Sequence, residues 1–218
     1  MTSRPNKVEP RPAPRLYLVT PPVEDTTAFS ALLSDAMAAG DVAAVLLQLA
    51  PADERTLINR AKEIGRVVQN QNAALLLDRQ FELVARSGAD GAHLFGLDEF
   101  TEAIARLKPD WIAGVGGLDT RHDAMAAAEA GADYVMFGAP DENGARASFE
   151  AIEERIAWWA EVFEAPCVAF AVSLDEVEPL VNAGADFIAL DWVWRDSQTI
   201  VAAVAQAAAL LRLPETAT

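Results

Sequence analysis

Positive charge is the scarcest resource in this chain. Its 218 residues carry 17 Lys and Arg against 33 Asp and Glu, for a formal net charge of −16. A field of that sign repels phosphodiester backbones and anionic bilayers, so neither nucleic acid nor a membrane surface is expected as a partner. A polyphosphate ligand would need local basic groups or a metal ion to overcome it. Cysteine is nearly absent. The one copy, Cys167, cannot form an internal disulfide, and at the start of an apolar strand pattern it reads as a small buried hydrophobe. Long apolar runs are missing as well, since none approaches the ~18 residues that a bilayer span requires. Residues 1–14 contain Pro and Arg but no apolar signal core. They read as a flexible arm on a cytoplasmic protein. What remains is 52% hydrophobic and 23% charged, a globular composition of a length suited to one sizeable core.

The organising feature is a repeat. Residues 87–96 (Ser-Gly-Ala-Asp-Gly-Ala-His-Leu-Phe-Gly) read as a helix end, a glycine turn, a short buried strand and a second glycine. The first half recurs at residues 130–138 and 183–190, and more loosely at 39–47. The turn glycines, Gly40, Gly88, Gly131 and Gly184, lie 48, 43 and 53 residues apart, about the length of two strand-helix units. The repeat thus marks every second strand. Apolar runs at 15–20, 42–49, 73–77, 91–95, 111–115, 134–137, 167–172 and 187–192 read as strands. Between and after them, residues 26–39, 53–70, 81–86, 98–107, 121–130, 148–162, 174–182 and 197–211 carry helical spacing. Eight strands alternating with eight helices predict an α/β fold, a single-domain (β/α)8 TIM barrel over residues 15–213 with a tail at 214–218. A doubly wound sheet is the alternative, and the unbroken alternation favours closure.

In such a barrel, functional groups sit where strands end. Those positions hold Thr20, Gln48, Asp78, Arg79, His93, Asp98, Gly116, Gly117, Gly138 and the loop to Asn143, Val172, Ser173 and Asp191 to Asp196. Asp78 and Asp98 follow adjacent strands. Either they share one hard cation, since Mg²⁺ takes one or two carboxylates with water and substrate phosphates, or Asp78 pairs with Arg79 and Asp98 caps its helix. His93 either contacts a ligand or bonds a carbonyl. Asp191 either accepts from a ligand amine or pairs with Arg195. His122 opens a helix and reads as exposed. Trp192 and Trp194 share a face if their strand continues, and either close the mouth or pack on a neighbour. Trp158 and Trp159 read as helix packing.

In order along the chain, Tyr17-Leu18-Val19-Thr20, Gln48-Leu49, Asp78-Arg79, Gly88-Ala89-Asp90-Gly91-Ala92-His93-Leu94, Gly114-Val115, residues 130–138 and Ala183-Gly184-Ala185-Asp186 resemble thiamine phosphate synthase and its thiazole tautomerase relatives. The resemblance spans residues 15–211. It implies a transferase of thiamine biosynthesis that joins a pyrimidine methyl diphosphate to a thiazole phosphate, with Mg²⁺ assisting departure of pyrophosphate. It implies Asp78 and Asp98 as metal ligands, Arg79 as an anion contact, and Gln48 and His93 as lining of the pyrimidine site. His93 and Arg79 are then the candidate catalytic residues, and Gly116, Gly138 and Asp191 join Gln48 as candidate substrate contacts. A homo-oligomer is left open.

The phosphate loops depart from the family pattern. Ala50-Pro51-Ala52 stand where two cations are expected, Leu77 replaces an Asn, and Gly116-Gly117-Leu118 replace Ser-Thr-His. Asp141 and Glu142 fall where a lysine-bearing loop belongs, Ala171-Val172 replace a Gly-Gly cradle, and Asp191 replaces a Ser. These changes oppose dianion binding through lost donors and like-charge repulsion. They predict degraded phosphate handling, and raise the alternative of a non-catalytic paralogue that binds an unphosphorylated heterocycle or a protein.

Overall fold

Eight apolar runs of four to six residues become strands: β1 (Arg15–Val19), β2 (Val42–Leu47), β3 (Ala74–Asp78), β4 (Gly91–Phe95), β5 (Ile112–Gly116), β6 (Tyr134–Phe137), β7 (Cys167–Ala171) and β8 (Phe187–Leu190). In this computed structural model each strand pairs in parallel with the next, and β8 pairs with β1, closing the barrel. Residues 12–141 and 143–211 are described. Most of the expected arm at 1–14 and all of the tail at 214–218 lie outside the described residues.

Alternation along β1 shows how the strands divide the core. Tyr17 and Val19 point into the barrel, where they meet Leu46, Leu76, Tyr134, Met136 and Phe170. Leu16 and Leu18 point outward into the layer between sheet and helices, with Val45, Leu75, Phe100 and Trp159. The period of two sorts one short apolar run into two separate cores. The helices are α1 (Thr26–Ala38), α2 (Glu54–Gln69), α3 (Val84–Ser87), α4 (Gly96–Leu107), α5 (Arg121–Glu129), α6 (Phe149–Val162), α7 (Val177–Asn182) and α8 (Ile200–Leu210). Several begin at side-chain caps. Asp25, Asp53 and Ser148 each accept a first-turn amide, and Thr120 forms a reciprocal box with Asp123, satisfying donors that the helix leaves open.

The repeat has a structural meaning beyond its spacing. Asp90 Oδ2 accepts the Leu75 amide at 2.7 Å, Asp133 Oδ2 the Ala113 amide at 2.7 Å, and Asp186 Oδ2 the Cys167 amide at 2.8 Å. Each aspartate thus pins the start of the preceding odd-numbered strand just before its own even-numbered strand begins. The glycine two residues earlier makes the approach, with φ of 76° at Gly88, 101° at Gly131 and 100° at Gly184, a region that L side chains avoid. The looser first copy works differently. Asp41 takes the Arg15 guanidinium instead, and Gly40 is needed for room, since a Cβ there would lie 2.9 Å from Leu16 and Ala208.

Three elements differ from expectation. The short helix expected at 81–86 is a 3₁₀ turn, Phe81–Leu83, followed by one turn of α3. Residues 174–182 divide likewise into a 3₁₀ turn, Leu174–Glu176, and α7. The last strand ends at Leu190, and Trp192–Arg195 coil into a 3₁₀ turn, so the two tryptophans do not share a strand face. Trp194 donates its Nε1–H to the Val19 carbonyl at 2.7 Å and packs on Phe29. The ring thus packs on its neighbours and bonds across the seam between β8 and β1, and it also lines the hollow at the barrel mouth.

Candidate functional site

The C-terminal ends of the strands surround a cavity of about 630 Å³ whose lining includes Thr20, Gln48, Asp78, Arg79, His93 and Asp191. Gln48 is the first residue after β2. Its amide donates to Thr20 Oγ1 at 3.0 Å, and its Nε2 donates to Asp78 Oδ2 at 3.0 Å, tying the ends of three strands together. Asp78 closes β3. Burial pushes its carboxyl pKa up, against the Gln48 hydrogen bond and the Arg79 charge, which pull it down. A desolvated carboxylate at a cavity wall is a site where a cation would be welcome.

Arg79 adopts φ of 61°, a left-handed conformation that costs a non-glycine residue roughly 1–2 kcal/mol. Its amide nevertheless extends the ladder by donating to the His93 carbonyl at 2.8 Å. The turn swings the side chain across the mouth, where Nε bonds Glu99 Oε2 at 2.9 Å and the guanidinium lies 5.5 Å from the Phe95 ring centroid. Burial raises the Glu99 pKa, with Arg79 opposing.

His93 projects into the barrel from β4 and is buried. Its Nδ1 lies 2.9 Å from the Tyr134 hydroxyl, which lies 2.8 Å from the Tyr17 hydroxyl. Desolvation pulls the imidazole pKa down to about 4, so the ring is neutral at physiological pH and acts as a hydrogen-bonding group. The tyrosine contact settles one alternative: His93 bonds a side chain rather than a carbonyl. Burial also raises the pKa of Tyr134 and of Tyr17, keeping both hydroxyls protonated.

The structure redistributes the remaining candidates. Asp98 is exposed on the first turn of α4 and does not line the cavity with Asp78. The pairing of those two carboxylates around one cation is therefore not preformed. The acid that feels the charge of Asp78 is the neighbouring Glu99. Among the described residues no cluster of three or more His, Cys, Asp or Glu is placed to hold a metal. A single wall carboxylate with water and substrate oxygens is still a donor set that fits Mg²⁺. Gly116 does not line the cavity but backs His93, because a Cβ there would fall 2.9 Å from its Nε2. Gly138 lines a second hollow of about 310 Å³ beside the first. Asp191 lines the main cavity, its pKa raised by burial and lowered by nearby Arg195 without an ion pair. Its Oδ1 is buried without a partner. His122 is exposed, Trp159 is fully buried and Trp158 stacks beneath Arg121, as expected.

Sequence reasoning missed Arg146. The loop after β6 was expected to replace a cation with acids, yet it returns to the barrel at Arg146, which donates to the Gly138 and Phe170 carbonyls and pairs with Glu176. Asp141 is spent within the loop, accepting the amides of Asn143 and Ala145 at 2.8 Å; Glu142 lies outside the described residues. The signal that would have found Arg146 is its place just before Ser148, the cap of α6. A side chain there reaches back over the strand ends.

Known proteins resemble this chain in sequence and fold. The thiamine-phosphate synthase of Rhodospirillum centenum is 42% identical over 195 residues, covering 88% of this chain and 94% of that protein. That of Hyphomonas neptunium is 39% identical over 210 residues, covering 90% and 93%. Among solved structures, thiamine phosphate pyrophosphorylase from Pyrococcus furiosus superposes with a TM-score of 0.74 at 18% identity, covering 90% of this chain and 95% of that one, which speaks to the fold. The profile described as thiamine monophosphate synthase matches residues 16–191, and the chain belongs to that family.

Proposed function

We propose that this protein is a thiamine-phosphate synthase acting in the cytoplasm, which couples a pyrimidine methyl diphosphate to a thiazole phosphate. The observation that carries the reading is the convergence of Gln48, Asp78, Arg79 and His93 on one cavity at the C-terminal barrel mouth. In the reaction the bond between the pyrimidine methylene and the diphosphate oxygen breaks, and the leaving group takes the electron pair. The thiazole nitrogen then forms the new carbon–nitrogen bond. No proton transfer is required at that nitrogen, so the site needs polar positioning and charge neutralisation rather than a strong base.

The side chains suit those tasks. Neutral His93, fixed by Tyr134, and the Gln48 amide present hydrogen-bonding groups to a heterocycle without adding charge. Arg79 supplies a cation at the rim, where negative charge develops on the departing diphosphate. Phe95 beneath it narrows the mouth, and Trp194 closes the β8–β1 seam, together limiting water around the reacting carbon. Asp78 would hold Mg²⁺, with water and substrate oxygens completing its shell. The ion supplies charge neutralisation of the diphosphate when bound. The soluble phosphate-ester substrates match a cytoplasmic setting, and no helix among the described residues is long and apolar enough to cross a membrane.

The test is incubation of purified protein with both substrates and Mg²⁺, following thiamine phosphate and pyrophosphate together. Equimolar appearance of the two is expected. Failure to form either, with no binding of the pyrimidine diphosphate, would leave the non-catalytic alternative in its place.

A further inference from the structure

At the end of β7 a set of anion donors closes on a side chain of the protein itself. Arg146 Nε donates to the Gly138 carbonyl at 2.6 Å, and Nη2 to the Phe170 carbonyl at 2.7 Å. These bonds fix the guanidinium against the ends of β6 and β7. Its outer edge faces Glu176, with Nη1 2.7 Å from Oε1 and Nη2 2.9 Å from Oε2. The Val172 amide donates to the same Oε2 at 3.0 Å. The two side chains are only 14% and 16% exposed, so the pair is largely withdrawn from water.

A guanidinium fork beside a backbone N–H is a donor set that matches phosphate oxygens. The guanidinium comes from the loop after β6 and the N–H from the residue after β7, beside the loops after strands 7 and 8 where many barrels of this class bind phosphate. Arg146 also lines the second hollow at the mouth. Glu176 is not needed to aim Arg146, because two strand-end carbonyls already do so. Its carboxylate stands where the oxygens of an incoming anion would bond.

We propose that Glu176 is a specificity-determining residue: a tethered carboxylate that occupies the phosphate cradle at the ends of β6 and β7 and yields it to the phosphate monoester of the acceptor substrate. The inference rests on the synthase reading only for the identity of that phosphate carrier. A tethered competitor acts at high effective concentration, so Glu176 sets how strongly the acceptor's phosphate is held. Glu176→Gln keeps the shape while removing the competing charge.

Calorimetric titration of the full chain with inorganic phosphate compares wild type with Glu176→Gln. The variant is expected to bind about 10²-fold tighter, the lower end of the advantage that a tethered partner has over a free one. The KM for thiazole phosphate should fall in parallel, while the KM for the unphosphorylated thiazole alcohol and for the pyrimidine diphosphate stay put. In wild-type protein the Val172 backbone amide resonance should move as phosphate displaces the carboxylate, a measurement that stands even if the variant does not fold. Unchanged or weaker phosphate binding by the variant, or a Val172 resonance that ignores saturating phosphate, would make the ion pair purely structural and overturn the proposal. Absence of thiamine phosphate from both proteins would instead count against the synthase reading, with the phosphate titrations still deciding the role of Glu176.

Discussion

Gly116 and His93 show how much of the site depends on single atoms. The glycine does not line the cavity, yet a Cβ there would stand 2.9 Å from Nε2 of an imidazole already tied to Tyr134. Gly116→Ala should therefore displace the ring and cost about 10²-fold in kcat/KM, the scale set by misplacing a positioned group by an ångström. Overpacking should cost stability by about 1–3 kcal/mol. Steady-state kinetics beside urea unfolding would separate the two. His93 itself has a folded pKa of about 4, against an ordinary value of 6.5. The unfolded chain then binds the extra proton between those values, so stability is lost as pH falls from about 6.5 to about 4 and changes no further below that. The effect is on the order of 3 kcal/mol. Asp78, with its raised pKa, acts in the opposite sense. The difference between wild-type and His93→Asn stability curves over that window isolates the histidine. Curves of the same slope in both proteins over that window would show that the imidazole is not neutralised by burial. Activity should likewise show no acid limb near pH 6.5 from this residue.

At the scale of elements, the aspartate staples explain why a repeat of such modest sequence content organises a barrel. Asp186→Ala removes the carboxylate that accepts the Cys167 amide at the start of β7, and losing a hydrogen bond to a charged group costs about 1.5–3 kcal/mol. Asp41→Ala removes only an exposed ion pair, whose side chains are 41% and 71% accessible, and should cost no more than about 1 kcal/mol. Denaturant midpoints of the two variants test whether the copies are equivalent in sequence but not in load. The same scale explains the misplaced Asp98. Successive helix residues differ by about 100° in direction, so the helix start fixes which acid faces inward. With α4 beginning at Gly96, Asp98 projects to solvent while Glu99 meets Arg79.

For the molecule as a whole, the surplus of acid and the choice of substrate pull in opposite directions. A chain of net charge −16 handles two phosphate esters only if cations are concentrated at one end of the barrel. Arg79 and Arg195 line the main cavity, and Arg146 and Arg155 line the adjoining hollow. Asp78, Asp141 and Asp191 line the same cavity and Asp119 and Asp141 the hollow, so the four arginines only balance the lining acids and a diphosphate still needs a metal cation there. Removing Mg²⁺ by chelation should then abolish turnover, and Asp78→Asn should reduce it by about 10²-fold or more, in line with loss of a preorganised electrostatic contact. Pyrophosphate release measured against Mg²⁺ concentration tests both. A variant with wild-type Mg²⁺ dependence would remove Asp78 from that role.

The architecture was legible in the chain because its determinants are local. Period-two apolar runs, helix caps and the Gly-x-Asp turn each act within a few residues, and their unbroken alternation leaves closure as the consistent solution. Strand-end reasoning likewise brought Gln48, Asp78, Arg79, His93 and Asp191 to one mouth. What only tertiary structure decided are the meetings between distant segments. Tyr17 and Tyr134 stand 117 residues apart yet share the hydrogen bond behind His93. Arg146 and Glu176, 30 residues apart, pair at the ends of β6 and β7, a meeting that neither loop sequence signals by itself. Those pairings depend on where each strand stops and how the next turn rotates, and one residue of difference at a strand end redirects every side chain beyond it.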